Sequence, residues 1–555
     1  MERRAQALRD RILQSPVLKT ENLNPKKWLK SQQVKGFTDF VLQRDADEDN
    51  SGYDNVEMLL DVEKEYIEAA KRNDLATIKQ LGKGVNINAK NVHHRTALHY
   101  AVAHKNVEVV DLLLRRRAKL DLQDKHGVTA IHLAAWFGSL EILKLLVQAG
   151  ADQSVLNNEG MNMMHCAAIN NHTEIMSYII NDLQMKELDK EDQRGNRPFA
   201  AAAEHGCVAM MHMLMEEQYN MATMEPNLSG DTPLHLAARS GQMEALQLLL
   251  DSFDVRDEVN HAGQTVLYLA AVETHEDCVQ VLLSAGCDPN IPTIANTFPL
   301  HPINQRGHTQ LVKLLIGNGA HINAQDQHQR SPLHLAVKNC HLPVIHTLLE
   351  SECNVNLTDH MGQTPLHIAA EFGRVDVVEM ILKADVALEI KDKQGKTALG
   401  VAARADAVVI VDMIIKAERY FTWRKQNNHV PDGFLHNEFP LTFKLDHRMD
   451  TKEIRTTIWN LAYKSFKRND WKKLAEHWTF TEEQVAAIEE QWTGPQSYQE
   501  HGNRMMLIWL HGATSTQRSP AKELYEGLLS IGNKKVAEKI RMEANEDEMR
   551  RCIIS

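Results

Sequence analysis

The sequence predicts an all-α chain in two parts: a solenoid of stacked helix pairs, then a compact bundle of six short helices. Two observations predict it. A related run, with histidine at one position in seven of its copies, recurs ten times at a near-constant step of 33 residues. After Thr451 that step disappears, while apolar residues continue at helical spacing on new faces. A chain of 555 residues is also too long for one hydrophobic core, so a repeat array plus a further domain suits its length.

The repeat is read from its histidine position, which falls at His99, His132, His165, Ala200, His235, Tyr268, His301, His334, His367 and Gly400. The step is 33 except for two steps of 35 on either side of Ala200. Glycine stands five residues earlier in seven units, among them Gly127, Gly230 and Gly395, where a tight turn wants a positive φ. Thr-Pro or a relative follows, a helix cap and a helix first turn. In DTPLHLAARSGQMEALQLLL, Leu234, Ala237 and Ala238 then take helical spacing, Gly241 breaks the helix, and Leu246, Leu249 and Leu250 share the face of a second one. One such unit cannot bury its apolar faces alone; stacked units can. Ala200, Tyr268 and Gly400 replace the histidine without changing the period, so the recurring histidines are architecture, not catalysts or metal ligands.

Thr-Pro-Leu-His at this period resembles the ankyrin repeat over about residues 60 to 425. The resemblance implies that each histidine bridges backbone groups within and between repeats. It also implies a concave binding face at the two positions after the paired alanines: Trp136 and Phe137, Arg239 and Ser240, Val272 and Glu273, Gln305 and Arg306, Glu371 and Phe372. Trp136 stands out as an exposed aromatic anchor; a ring packed between neighbouring repeats is the alternative. Asn88, Asn323 and Asn356 occupy loop positions that are hydroxylated in some members. EYIEAAKRNDLATIKQLGKG reads as an N-terminal half-repeat cap, and the helix ending ERYFTWRKQ as a C-terminal cap with a polar outer face. The fourth unit lacks both Thr and His. The seventh carries Pro302 just inside its first helix, which predicts a strained or loose contact.

Residues 426–450 read as a linker, although Phe434, Phe439 and Phe443 suggest that it packs on something. From Thr451 to about Met542, Trp471, Leu474, Ala475 and Trp478 mark one helix, Val485, Ile488 and Trp492 another, and Met505, Ile508 and Trp509 a third. NDWKKLAEHWTFTEEQVAAIEEQW and MMLIWLHG resemble helices two to four of death domains, and ELYEGLLSIGNKKVAEKI the fifth and sixth. With the array, the chain resembles the ankyrin repeat and death domain-containing protein family. That resemblance implies homotypic pairing with other death-domain proteins. Lys464, Lys467, Arg468, Lys472 and Lys473 cluster at the first helix junction, while Glu482, Glu483, Glu489 and Glu490 crowd the third helix. Opposite charges on different faces would let neighbouring copies pair, making the chain a candidate homo-oligomer; an ordinary solvated surface is the alternative.

The expected organisation is an acidic, disordered segment over 1–58, the array over 59–425, the linker over 426–450, the death domain over 451–545 and a tail over 546–555. The balance of 62 basic and 74 acidic residues, net −12, argues against nucleic acid as the main partner. Seven scattered cysteines without Cys-x-x-Cys indicate a reducing compartment, cytoplasmic or nuclear. DADEDNSGYD begins like a calcium loop but places Met58 where the bidentate glutamate belongs. P-loop, Gly-x-Ser-x-Gly, His-Glu-x-x-His and kinase signatures are absent, so no enzyme, cofactor or metal is expected. Cys552-Ile553-Ile554-Ser555 fits a prenylation pattern, which alone would bring the chain to a membrane, without the basic patch that stable anchoring needs. The sequence thus predicts a non-enzymatic adaptor whose array holds a protein client and whose bundle recruits death-domain partners. The alternatives are a regulatory or substrate-recruiting subunit with a purely structural bundle, and a prenyl-anchored scaffold.

Overall fold

The computed structural model describes residue 37 and residues 59–82, 84–384, 386–426, 441–444, 449, 451–516 and 518–542. Phe434, Phe439 and Cys552 lie outside them. The chain divides into two compact units, Met1–Ile294 and Ala295–Ser555, and each is described by itself.

The first unit opens with α1 (Asp61–Lys71) and α2 (Leu75–Leu81), the half-repeat. Six helix pairs follow: α3 (Ala97–Ala103) and α4 (Val107–Arg115); α5 (Ala130–Phe137) and α6 (Leu140–Gln148); α7 (Met163–Ile169) and α8 (Thr173–Ser177); α9 (Pro198–His205) and α10 (Val208–Met215); α11 (Pro233–Arg239) and α12 (Met243–Ser252); α13 (Val266–Val272) and α14 (Glu276–Ser284). α8 runs into a π-helical turn, Tyr178–Asp182. The odd-numbered helices stack on one another from α1 to α13, and so do most of the even-numbered ones.

The fifth pair shows the local physics. The Asn227 carboxamide accepts the backbone N–H groups of Ser229 and Asp231 at 2.9 and 3.0 Å, closing the loop tip. Gly230 follows at φ 79°, and a Cβ there would come within 2.6 Å of the His261 backbone nitrogen in the next loop. Thr232 is extended and precedes Pro233 at the first helical position. The Thr232 hydroxyl donates to Nδ1 of His235 at 2.8 Å. His235 Nε2–H donates to the Gln264 carbonyl of the next repeat at 3.2 Å. His99 reaches Val128 O and His132 reaches Met161 O in the same way, at 3.2 and 3.1 Å. The histidines are therefore structural, as the ankyrin resemblance implies.

The second unit continues with α15 (Leu300–Arg306) and α16 (Thr309–Gly317), α17 (Pro332–Lys338) and α18 (Leu342–Glu350), α19 (Pro365–Glu371) and α20 (Val375–Lys383), and α21 (Ala398–Arg404) with the long α22 (Val408–Gln426). Beyond it lie α23 (Lys452–Asn460), its π-helical extension Leu461–Ser465, α24 (Asp470–His477), α25 (Glu482–Glu490), α26 (Ser497–Ser515), α27 (Pro520–Ser530) and a helical stretch over 534–542. Pro302 does not loosen α15. It sits in the first turn, where its missing N–H has no intrahelical partner to lose, and His301 still donates to Arg330 O at 3.2 Å. In the C-terminal helices Trp478 and Trp509 stack at 4.0 Å, and the Trp509 indole donates to Glu523 at 3.1 Å.

One expectation fails at the end of the array. α22 is not a cap with a polar outer face: α21 packs on α25 and α22 packs on α26. Ile414, Ile415, Lys416 and Ala417 are all buried. Arg504 of α26 clamps Asp412 of α22, with Nη2 2.7 Å and Nε 3.1 Å from one carboxylate oxygen. Arg419 donates to Trp478 O at 2.9 Å and lies 4.0 Å from the centre of the Phe480 ring. Gln484 donates to Glu418 at 2.8 Å. Part of the predicted linker is built into the same contact. Phe443 is fully buried beside Tyr420, Phe421 and His511. Its N–H donates to Glu379 at 3.1 Å, and the Lys416 ammonium donates to the carbonyls of Phe443 and Lys444 at 3.3 and 3.1 Å.

Two predictions follow from this packing. Burial holds the His99 and His132 pKa values down at about 4, below the about 6.5 of a free imidazole. Between those values the unfolded chain binds more protons, so stability is complete above about pH 6.5 and falls as pH drops toward 4. Melting followed by circular dichroism is expected to give a midpoint that is flat near neutrality and falls below pH 6.5; a midpoint constant down to pH 4.5 would contradict the neutral bridges. Secondly, Arg504→Met leaves the half-buried Asp412 carboxylate without its clamp, which is expected to destabilise the second unit by about 2 kcal/mol. Urea unfolding read by hydrogen exchange over 408–426 checks this, and adding Asp412→Asn is expected to restore much of the loss.

Candidate functional site

The concave-face positions lie at the C-terminal ends of the first helices, where the paired alanines let adjacent helices approach closely. The structure treats them unequally. Arg306, Glu371 and Phe372 are exposed, Phe372 at 50%. Ser240 is half-buried. Arg239 is held in a two-pronged pair with the buried Asp231, at 2.7 and 3.0 Å, which fixes its guanidinium over the loop tip.

Of the two readings of Trp136, the exposed anchor fails. It is 1% exposed, and Phe137 is buried beside it. The cover is Phe37, from the N-terminal segment expected to be disordered. Phe37 is itself fully buried, and its ring stacks on Trp136 with centroids 3.9 Å apart and planes 6° from parallel. Trp136 is therefore not an open anchor on this face. On the backbone side, Trp136 O accepts from His172 Nε2 at 3.0 Å, and Arg239 O accepts from His275 at 3.0 Å. Gly138 follows Phe137 at φ 76°, so close to the His172 ring that a Cβ would lie 2.4 Å from it. These second inter-repeat histidines escaped the sequence reading, although each stands directly before or near the start of a second helix.

The charged residues of the C-terminal helices are also sorted by the fold. Lys464, Lys467, Arg468 and Lys473 are exposed around the turn between the π-helical extension and α24, and Lys464 donates to Asn460 at 2.7 Å. Lys472 and Glu489 were expected on opposing faces, but they meet as a 2.6 Å ion pair between α24 and α25. Glu483 accepts the Thr397 hydroxyl at 2.6 Å, which commits it to the last repeat. Glu482 and Glu490 are exposed. The acidic and basic sets are thus neither wholly free nor on separate faces. Asp412, Lys416, Glu379 and Arg504, which join these helices to the array, carry no sequence signal beyond helical placement.

The loop asparagines serve the stack. Asn88, Asn323 and Asn356 accept the backbone N–H groups of Lys119, Asn354 and Ala387, each at 2.8 Å. The described thiols are mostly buried, and burial pushes Cys207 and Cys287 up to about 12 and Cys353 to about 11, so they stay protonated at neutral pH. Among the described residues, no group of three or more His, Cys, Asp or Glu side chains is placed to hold a metal ion. No described helix is long and apolar enough to cross a membrane.

The repeat geometry agrees with the comparison to known families. Residues 66–157, 150–225, 218–293, 295–359 and 353–422 each match the family model of ankyrin repeats in three copies. Arrays of this kind are protein–protein interaction modules. The matches cover well over half of the chain, and on that coverage, with its bridging histidines and stacked helix pairs, the chain belongs to the ankyrin-repeat family.

Proposed function

We propose that this protein is a non-enzymatic adaptor, cytoplasmic or nuclear, in which the array holds a protein client and the death-domain-like C-terminal module recruits a second protein. The observation that carries the reading is the uneven use of surface. The fold commits Asp412, Glu483 and Arg504 to internal docking, while Arg306, Glu371 and Phe372 on the array stay exposed. Lys467, Arg468 and Lys473 on the module stay exposed too. A basic patch on a small helical module suits the acidic face of a partner module or of a second copy. The module's domain limits, 451–545, belong to the same proposal.

A second reading has its own support: the module is only the terminal cap of the array. The buried clamp of Arg504 on Asp412 favours it. Full-length chain used as bait in cell lysate separates the two. Reversing Lys467, Arg468 and Lys473 to glutamate is expected to lose death-domain proteins and keep array-bound proteins, whereas Arg306→Ala with Phe372→Ala is expected to do the opposite. If the reversed bait captures the same proteins as the unaltered chain, the module is a cap. Lys472 is left alone, because Lys472→Glu would place two carboxylates together at Glu489 and lower stability by up to about 1 kcal/mol, as urea titration would show.

A further inference from the structure

Phe37, the one described residue before residue 59, stacks on Trp136 at the array's concave face. Ninety-nine positions separate the two residues in the chain, so closing that loop opposes the contact entropically, and the contact must offset the loss. It lies at a position that other repeats leave open: the residues aligned with Trp136 include Gln305, Lys338 and Glu371, all exposed. Around Trp136 that position is apolar over three successive repeats, Ala103, Trp136 and Ile169, all buried. In the fourth repeat the strip ends at Glu204, which pairs with Arg194. A short apolar strip centred on a tryptophan, with a ring laid flat on it, has the form of a pocket for an aromatic anchor.

We propose that the concave face of the first three repeats is a binding site for an aromatic side chain carried on a peptide segment, and that Phe37 is its resident occupant in cis. The proposal rests on the reading of the array as a protein-binding surface and names the chemistry that one part of it accepts. An external partner offers an aromatic ring to the indole face of Trp136 and displaces Phe37 to do so. Tethering sets Phe37 at a local concentration of roughly millimolar order, so a partner that cannot match it is excluded. The Phe37 ring then sets a threshold on this part of the array.

The test uses full-length chain and a synthetic peptide of residues 31–43, SQQVKGFTDFVLQ, titrated to about 1 mM, the local concentration expected for a tethered ligand. Binding is read by ligand-detected NMR. Phe37→Ala chain is expected to take up the peptide saturably through its ring protons, and unaltered chain to bind it roughly tenfold more weakly or worse. The same peptide carrying Ala at position 37 is expected not to bind, and this arm requires no change in the protein fold. The proposal is overturned if Phe37→Ala chain ignores the peptide, or if both peptides bind it alike. Sedimentation of unaltered chain tests the cis assignment: a dimer that Phe37→Ala dissolves would place the ring in a neighbouring copy. None of these readouts involves a client, so failure to find one leaves them intact.

Discussion

The structure depends on one repeated hydrogen-bond relay. A threonine or serine hydroxyl holds Nδ1 of the histidine three residues on, and Nε2–H reaches a carbonyl 29 residues further along the chain. The relay works only with a neutral imidazole, which accepts on one nitrogen and donates on the other. Burial secures that state by making the charged ring costly. Where a repeat contributes the ring, the next contributes the acceptor, so the bond belongs to neither alone. This is why the helix pairs are stable as a stack and not singly.

The relay has an end, and the end is written in the sequence. His367 donates to Lys396 O, but Gly400 stands where the following histidine would be. The Thr397 hydroxyl, which would otherwise hold an imidazole, donates instead to Glu483. The last threonine of the series thus changes partner, from a ring in its own repeat to a carboxylate in α25. The buried Arg504 and the half-buried Asp412 complete the same junction further along both segments. Burial raises the Asp412 pKa, and the Arg504 guanidinium beside it offsets only part of that rise.

The repeat period, both helices of each pair and the structural role of the histidines were legible in the sequence, because all three are local patterns repeated many times. The pairings that decide the surface were not. Arg504 meets Asp412 across 92 residues, Gln484 meets Glu418 across 66, and Phe37 meets Trp136 across 99. No periodicity records such contacts, and composition cannot tell a solvated carboxylate from one that docks a helix. Trp136 illustrates the point. Its place on the concave face allows an open ring or one packed between repeats, and only the fold shows which residue covers it. Lys472 and Glu489 fail for a related reason: their helices are adjacent in the chain, but the turn between them brings both charges to one side.

Linear arrays behave like a row of coupled units in which an end unit has one neighbour instead of two, so fraying starts at the ends. The burial of α22 removes that weakness from the C-terminal side of its unit. Its last helix pair has a neighbour on both faces, and opening it requires loosening the Arg504 clamp and the Phe443 anchor together. Tension applied through the C-terminal helices would therefore meet the most tightly tied repeat first. Yielding within that unit would be delayed until the junction itself gave way, so the junction sets the load at which the repeats it seals begin to open.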